Sequence, residues 1–194
     1  MLVNTFCAAV NGLEVTTVKV EVSMTRGVQF HLTGLADTAV RESYDRIRAA
    51  LQNNGLKMPM MDITANLSPA DIKKEGSGYD LPLAIGILAA SGKVDGSRLN
   101  DYMMVGELGL DGRLQPIRGA LPIAIRARAE HFKGLIVPKQ NIREAAVVNK
   151  LTVYGANNLK EVLRFFNDEI TLEPTIVNTR EEFYAHQSSF DFDF

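Results

Sequence analysis

Residues 66–92, NLSPADIKKEGSGYDLPLAIGILAASG, decide how this chain is read. A strand runs into them. Met61, Ile63, Ala65 and Leu67 alternate with Asp62, Thr64 and Asn66, the period-two pattern of a strand with one wet face. Ser68-Pro69-Ala70-Asp71 ends it, and Lys73-Lys74-Glu75-Gly76-Ser77-Gly78 forms a polar, flexible loop. Asp80 is placed to cap a helix starting at Leu81, with Pro82 in the tolerated first turn. From Leu81 to Ala90 that helix is apolar all round, which predicts burial between layers; Gly92 ends it. A polar loop between two buried elements is where α/β folds usually carry a site.

Upstream, Leu2 to Val10 reads as a strand. Asn11-Gly12 is the preferred dipeptide of a tight hairpin. Leu13 to Met24 returns as a half-buried strand, Val18, Val20 and Val22 alternating with Lys19, Glu21 and Ser23. Thr25-Arg26-Gly27 turns the chain into a third strand, Val28 to Leu32, with His31 on its polar face. Asp37 caps a helix from Thr38 to about Asn53, with Val40, Tyr44, Ile47 and Leu51 towards the core. Arg41, Glu42, Asp45, Arg46 and Arg48 form a solvated opposite face.

Downstream, Tyr102 to Leu108 is a strand, and Asp111-Gly112 turns it into Arg113 to Ile117. Gly119 to Phe132 is a helix and Gly134 to Val137 a short buried strand. Asn141 with Glu144 makes a cap pair for a helix to Asn149. Leu151 to Tyr154 is a last strand, and Asn158 with Glu161 opens a helix to Phe166. Beyond Asn167 the periodicity fades. Phe183, Tyr184, Phe190, Phe192 and Phe194 sit among acids, read as a tail or linker over 169–194.

Composition narrows the function. The 194 residues suffice for one domain with a real core. A formal net charge of −2 advertises no overall basic field for nucleic acid. The single cysteine, Cys7, makes no internal disulfide, and three scattered histidines give no zinc spacing, as expected for a reducing cytoplasm. The apolar run Leu81 to Ala90 is far short of the roughly 20 residues that span a bilayer, so no membrane is expected.

Three chemistries present themselves at the central loop. Gly86 to Lys93 imitates a P-loop, but its spacing is wrong and it ends a helix instead of opening one. Ser77, in a glycine-rich turn before a helix, is a candidate nucleophile with Lys73 or Lys74 as base if desolvation lowers a lysine; the loop reads as wet, with solvated lysines. Asp71, Glu75 and Asp80 cluster as candidate metal ligands, with Asp80 already taken as a cap.

The same stretch, with GLADTAVRESYDRIRAALQNNGLKMP before it and GELGLDGRLQPIRGALPIAIRARAEHFKGLIVPKQN after it, resembles the N-terminal domain of magnesium-chelatase-like AAA+ ATPases of the YifB/ComM type. The resemblance spans about Val3 to Phe166. It implies an α/β (α+β) Lon-protease-like domain over 1–168, with the ribosomal-protein-S5 domain 2 fold and a left-handed βαβ crossover. It also implies that an AAA+ module follows, whose ATP and Mg²⁺ site lies outside this chain. Lon-type proteases pair a serine in a Gly-Pro-Ser-Ala-Gly helix start with a lysine after Pro-Ile-Gly-Gly-Leu-Lys. Gly78-Tyr79-Asp80-Leu81-Pro82 is similar to the first and Pro116-Ile117-Arg118-Gly119-Ala120-Leu121 to the second. Asp80 falls at the serine and Leu121 at the lysine, so the resemblance implies no catalytic residues.

With the dyad absent, the resemblance implies an assembly or DNA-contact domain of a cytoplasmic, hexameric branch-migration motor. Lys73, Lys74, Arg113 and Arg118, on loops beside helix starts, are the candidate DNA contacts, salt-sensitive and indifferent to sequence. The rivals are a relocated peptidase using Ser77 with Lys73 or Lys74, and a purely structural ring-forming module. Nothing in the sequence resembles a porphyrin site.

Overall fold

The computed structural model of the chain describes residues 1–176. The aromatic residues of 183–194 lie outside them. Strands β1 (Leu2–Asn11) and β2 (Glu14–Thr25) form a long antiparallel hairpin. Asn11 faces Glu14 across it, so Gly12 and Leu13 make the tip, Gly12 with φ of +64°. A two-residue tip needs that left-handed backbone to match the strand twist. Val18, Val20, Val22 and Met24 of β2 are buried, as their alternation predicts.

The third strand, β3 (Phe30–Thr33), does not extend the hairpin. It lies at the sheet edge, parallel to β4 (Asp62–Ser68), which inserts antiparallel beside β2. Between them, the single helix expected from Thr38 to Asn53 is two: α1 (Thr38–Arg41) and α2 (Ser43–Asn53). Buried Ser43 donates its hydroxyl to Val40 O at 2.6 Å, the back-bonding that bends helices.

Helix α3 (Asp80–Ala90) is the centre of the domain. Every residue from Asp80 to Ala89 is buried, and the helix packs on β1, β2 and α2. Gly86 permits the close approach: a Cβ there would stand 2.9 Å from Val22 Cγ2.

The strand expected over Tyr102 to Leu108 divides. β5 (Tyr102–Met104) runs parallel to β1, while β6 (Glu107–Leu108) leaves the sheet and pairs with β7 (Leu114–Gln115) in a two-stranded ribbon. The break is at Gly106, whose N–H donates to Gly78 O at 2.9 Å and whose carbonyl accepts from Leu81 N at 3.0 Å.

Then follow α4 (Ala120–Ala129), β8 (Gly134–Pro138), α5 (Ile142–Ala146), β9 (Thr152–Ala156) and α6 (Leu159–Phe166). The Asn158 cap forms as expected, accepting from Glu161 N at 2.9 Å. The Asn141 cap does not. Its side chain grips Ile117 instead, Oδ1 accepting from Ile117 N at 2.9 Å and Nδ2 donating to Ile117 O at 2.8 Å. Glu144 accepts from Leu121 N. Residues 169–175, read as the start of a tail, extend the sheet: Leu172 is buried and β10 (Pro174–Thr175) pairs antiparallel with β9. The eight strands lie in the order β10-β9-β8-β5-β1-β2-β4-β3, a mixed α/β sheet. Among the described residues no helix is long and apolar enough to cross a membrane.

Candidate functional site

A cleft of 690 Å³ opens where the polar loop before α3 meets the end of β1 and the turn before α4. Asp37, Glu75, Ser77, Glu107 and Arg118 supply its charged and hydroxyl groups; Val10, Ile117 and Ile123 supply apolar wall. One wall is built by zipping two loops together. Asp37 N donates to Lys74 O and Lys74 N to Leu35 O, both at 3.0 Å. Asp37 caps α1 through Oδ1 (2.8 Å from Val40 N) and holds the Gly76 N–H with Oδ2 at 3.2 Å.

Lys74 fastens the same two loops and corrects the wet-loop reading. It is fully buried. Its ammonium donates to Gly34 O at 2.7 Å and to Pro69 O. Burial pushes its pKa down, and Asp71 pulls it partly back. Gly34, at φ +108°, lies against the backbone of Leu67, which brings its carbonyl within reach of Lys74. Lys73 behaves as a loop lysine should: exposed, and paired with Glu75 at 3.2 Å.

Ser77 donates to Glu107 Oε2 at 2.5 Å. Neither lysine completes a Ser–Lys dyad, since Lys74 is committed to carbonyls and Lys73 to Glu75. No histidine lines the cleft.

Asp80 corrects a second expectation. Tyr79 holds the cap position of α3, and the Asp80 carboxylate instead meets Arg46 of α2. Nε donates to Oδ2 at 2.7 Å and Nη2 to Oδ1 at 3.0 Å, while Leu108 N donates to Oδ2 at 3.0 Å. Asp80 is buried completely. Burial raises its carboxyl to about 6, against the opposing pull of Arg46 and the Leu108 N–H. Arg46, read as part of a solvated face, is thus the counter-ion at the head of α3, and it keeps the expected Glu42 contact at 3.7 Å. The one available signal was chemical: an acid heading a wholly apolar helix demands a buried partner.

Leu121 is partly exposed on the first turn of α4. The Ile117–Asn141 grip fixes the turn that carries Arg118, which is exposed at the cleft. Arg113 is exposed at the β6–β7 turn and paired with Asp111 at 3.5 Å. Three of the four candidate DNA contacts, Lys73, Arg113 and Arg118, therefore present charge to solvent, and Lys74 does not. The cleft interior carries Asp37, Glu75 and Glu107 against Arg118, a balance that repels phosphate.

Asp71, Glu75 and Asp80 are not brought together, and among the described residues no group of His, Cys, Asp or Glu is placed to hold a metal ion. Gly86 lies inside α3 and Lys93 beyond its end, so no phosphate-cradling loop forms there.

Comparison with known proteins places the chain. Residues 20–141 match the family described as subunit ChlI of Mg-chelatase. Competence protein ComM of Haemophilus influenzae is 39% identical over 183 residues, covering 93% of this chain and 36% of that protein. YifB of Escherichia coli, an uncharacterized protein, is 39% identical over 163 residues, 84% of this chain and 32% of its own length. Lon protease 2 of Bacillus subtilis is 26% identical over 190 residues, 85% of this chain and 33% of that protein. The chain spans about a third of the length of these relatives. With its ChlI match and these identities to ComM and YifB, the chain belongs to the magnesium-chelatase-like family of ComM and YifB.

Proposed function

We propose that this chain is a non-catalytic assembly and DNA-contact domain of a magnesium-chelatase-like AAA+ ATPase, a cytoplasmic, ring-shaped recombination motor of hexameric type. In this reading the ATP and Mg²⁺ site belongs to an AAA+ module elsewhere in a longer protein. The relatives' threefold greater length supports it. The domain itself is read as a Lon-like, S5 domain 2-type fold with a left-handed crossover; the 26% identity to Lon protease 2 supports the Lon-like part of that reading.

The observation that carries the non-catalytic reading is the pair of residues at the dyad positions. Asp80 is locked to Arg46 by two hydrogen bonds, and Leu121 has no proton to exchange. Lys73 and Arg113, outside the cleft, and Arg118, exposed at it beside the acids, are the contacts to the DNA backbone.

Two assays test this. Fluorogenic casein incubated with the wild-type chain and with Ser77→Ala is expected to stay intact with both; cleavage abolished by Ser77→Ala establishes the relocated peptidase. Labelled single-stranded, duplex and four-way-junction DNA, titrated at low and physiological salt, is expected to bind in a salt-sensitive way. Changing Lys73, Arg113 and Arg118 to alanine is expected to weaken that binding. Concentration-dependent assembly with no DNA affinity at low salt would leave only the ring-forming role.

A further inference from the structure

A second pocket, of about 380 Å³, shares no residue with the cleft and sits at the C-terminal end of α2. Arg48, Gln52, Gly55, Leu56, Lys57 and Met58 line it. Its chemistry is the reverse of the cleft's: two cations and no acid. Both are exposed, and among the described residues neither has an ion-pair partner. We propose that this pocket is a phosphate-binding site that takes one phosphodiester unit of single-stranded nucleic acid. Arg48 and Lys57 hold the phosphate, and Leu56 and Met58 offer an apolar surface to the base. The nucleic-acid half of this inference rests on the DNA-contact reading above.

The fold makes the site by turning the chain back on its own helix. Gly55, at φ +72°, reverses the direction after α2. Lys57 and Met58 then stand beside Arg48 and Gln52, residues on one stripe of the helix. A helix C-terminus normally repels an anion. Here the last carbonyls are already engaged: Asn54 N and Leu56 N donate to Leu51 O at 3.0 and 2.9 Å, and Gly55 N to Gln52 O at 3.3 Å. The planar guanidinium of Arg48 suits two phosphate oxygens at once, and the Lys57 ammonium adds a compact charge. The pocket's volume is at the lower end for small-ligand sites, about 300–1,000 Å³, which fits one nucleotide and no more.

The surroundings extend it in one direction. The β6–β7 turn is tied to the same helix end, Asn53 donating to Leu110 O at 2.8 Å and Asn54 to Asp111 O at 2.9 Å. That ties the turn carrying Arg113, with its ion-pair partner Asp111 3.5 Å away, to the same helix end, so a strand leaving the pocket along this turn meets Arg113 in competition with Asp111. These three charges come from a helix, a loop and a distant hairpin, and their sequence spacing announces nothing.

A shared phosphate chemistry admits a nucleic-acid strand or a free phosphate, so the test has two arms. In the first, fluorescence anisotropy follows a labelled oligothymidylate binding to the 194-residue wild type, to Arg48→Ala/Lys57→Ala and to Arg113→Ala, between 50 and 200 mM salt (about the range in which such contacts weaken steeply). Two lost contacts are expected to lower the slope of log affinity against log salt by about 1.4, and affinity at low salt by about tenfold or more. Arg113→Ala should lower the slope by about 0.7. In the second arm, amide NMR follows inorganic pyrophosphate, with shifts expected at Gly55 and Leu56 in the wild type and absent in the double variant. Thermal melting by circular dichroism confirms that both variants fold.

Oligonucleotide binding weakened as stated upholds the site with a strand as its ligand. Pyrophosphate shifts without oligonucleotide binding uphold a free-phosphate site and count against the DNA-contact reading. Oligonucleotide binding unchanged in the double variant, with no pyrophosphate shifts, overturns the site and leaves the DNA-contact reading standing. No response in either arm overturns both.

Discussion

The pair between Arg46 and Asp80 makes the sharpest prediction. Replacing Arg46 by methionine keeps most of the side-chain bulk and removes both guanidinium hydrogen bonds to Asp80. The carboxylate then sits fully buried at the head of α3, with the Leu108 N–H as its remaining donor. Removing one partner of a buried ion pair costs about 3–5 kcal/mol. The pH dependence gives the diagnostic. Burial already holds the Asp80 carboxyl at about 6, against roughly 3.9 in an unfolded chain. A raised carboxyl contributes stability that is full below about pH 4 and is lost as pH rises through about 6, on the order of 3 kcal/mol in all. Without Arg46 the carboxyl rises further, and the variant protonates Asp80 in preference to burying a bare charge. Urea unfolding of wild type and Arg46→Met at pH 7.5 is expected to differ by about 3–5 kcal/mol. At pH 5 the difference should shrink to about 1–2 kcal/mol, the worth of ordinary lost hydrogen bonds. Arg46→Met/Asp80→Asn should recover at least half of the neutral-pH loss. A deficit below about 1 kcal/mol at pH 7.5, or one equally large at pH 5, would refute this account of the site.

Three further outcomes follow from single side chains. Lys74→Met strips charged donors from the carbonyls of Gly34 and Pro69 and should cost about 1.5–3 kcal/mol, with faster hydrogen exchange at the Asp37 and Gly76 amides; an unchanged urea midpoint would return Lys74 to the status of a loop lysine. Gly86→Ala puts a methyl 2.9 Å from Val22 Cγ2 and should cost about 1–3 kcal/mol by overpacking, relieved when Val22→Ala is added; failure of that relief would place the strain elsewhere. Cys7 is buried with its thiol pushed up to about 12, so a thiol reagent at pH 8 should label it only as fast as the domain unfolds in urea. Rapid labelling without denaturant would show that the seam between β1 and α3 opens.

Several expectations failed for one physical reason. Asp80, Asn141 and Glu144 all carry the signature of helix caps, and local sequence cannot distinguish an oxygen that caps its own helix from one claimed by a distant donor. Arg46 claims Asp80 across 34 residues, and Ile117 claims Asn141 across 24. Lys74 lies in a run that looks hydrated, but two distant carbonyls receive its ammonium. The break after β5 turned on Gly106 bonding to Gly78 and Leu81, again a contact between segments.

The sequence by itself determined the elements whose causes are local. Alternating valines made β2, and Gly12 its hairpin, with the tip at Gly12-Leu13, one residue past the expected Asn11-Gly12. Asp37 and Asn158 made their caps, and an unbroken apolar run the buried helix α3. Its longer motifs also carried the family. Tertiary structure alone decided strand order, the parallel placement of β3, the burial of Lys74, and the meeting of Arg46 with Asp80 and of Arg48 with Lys57. Periodicity and capping act within a few residues and leave a mark on the chain. Charge pairing and desolvation act through space, between residues that the fold brings together.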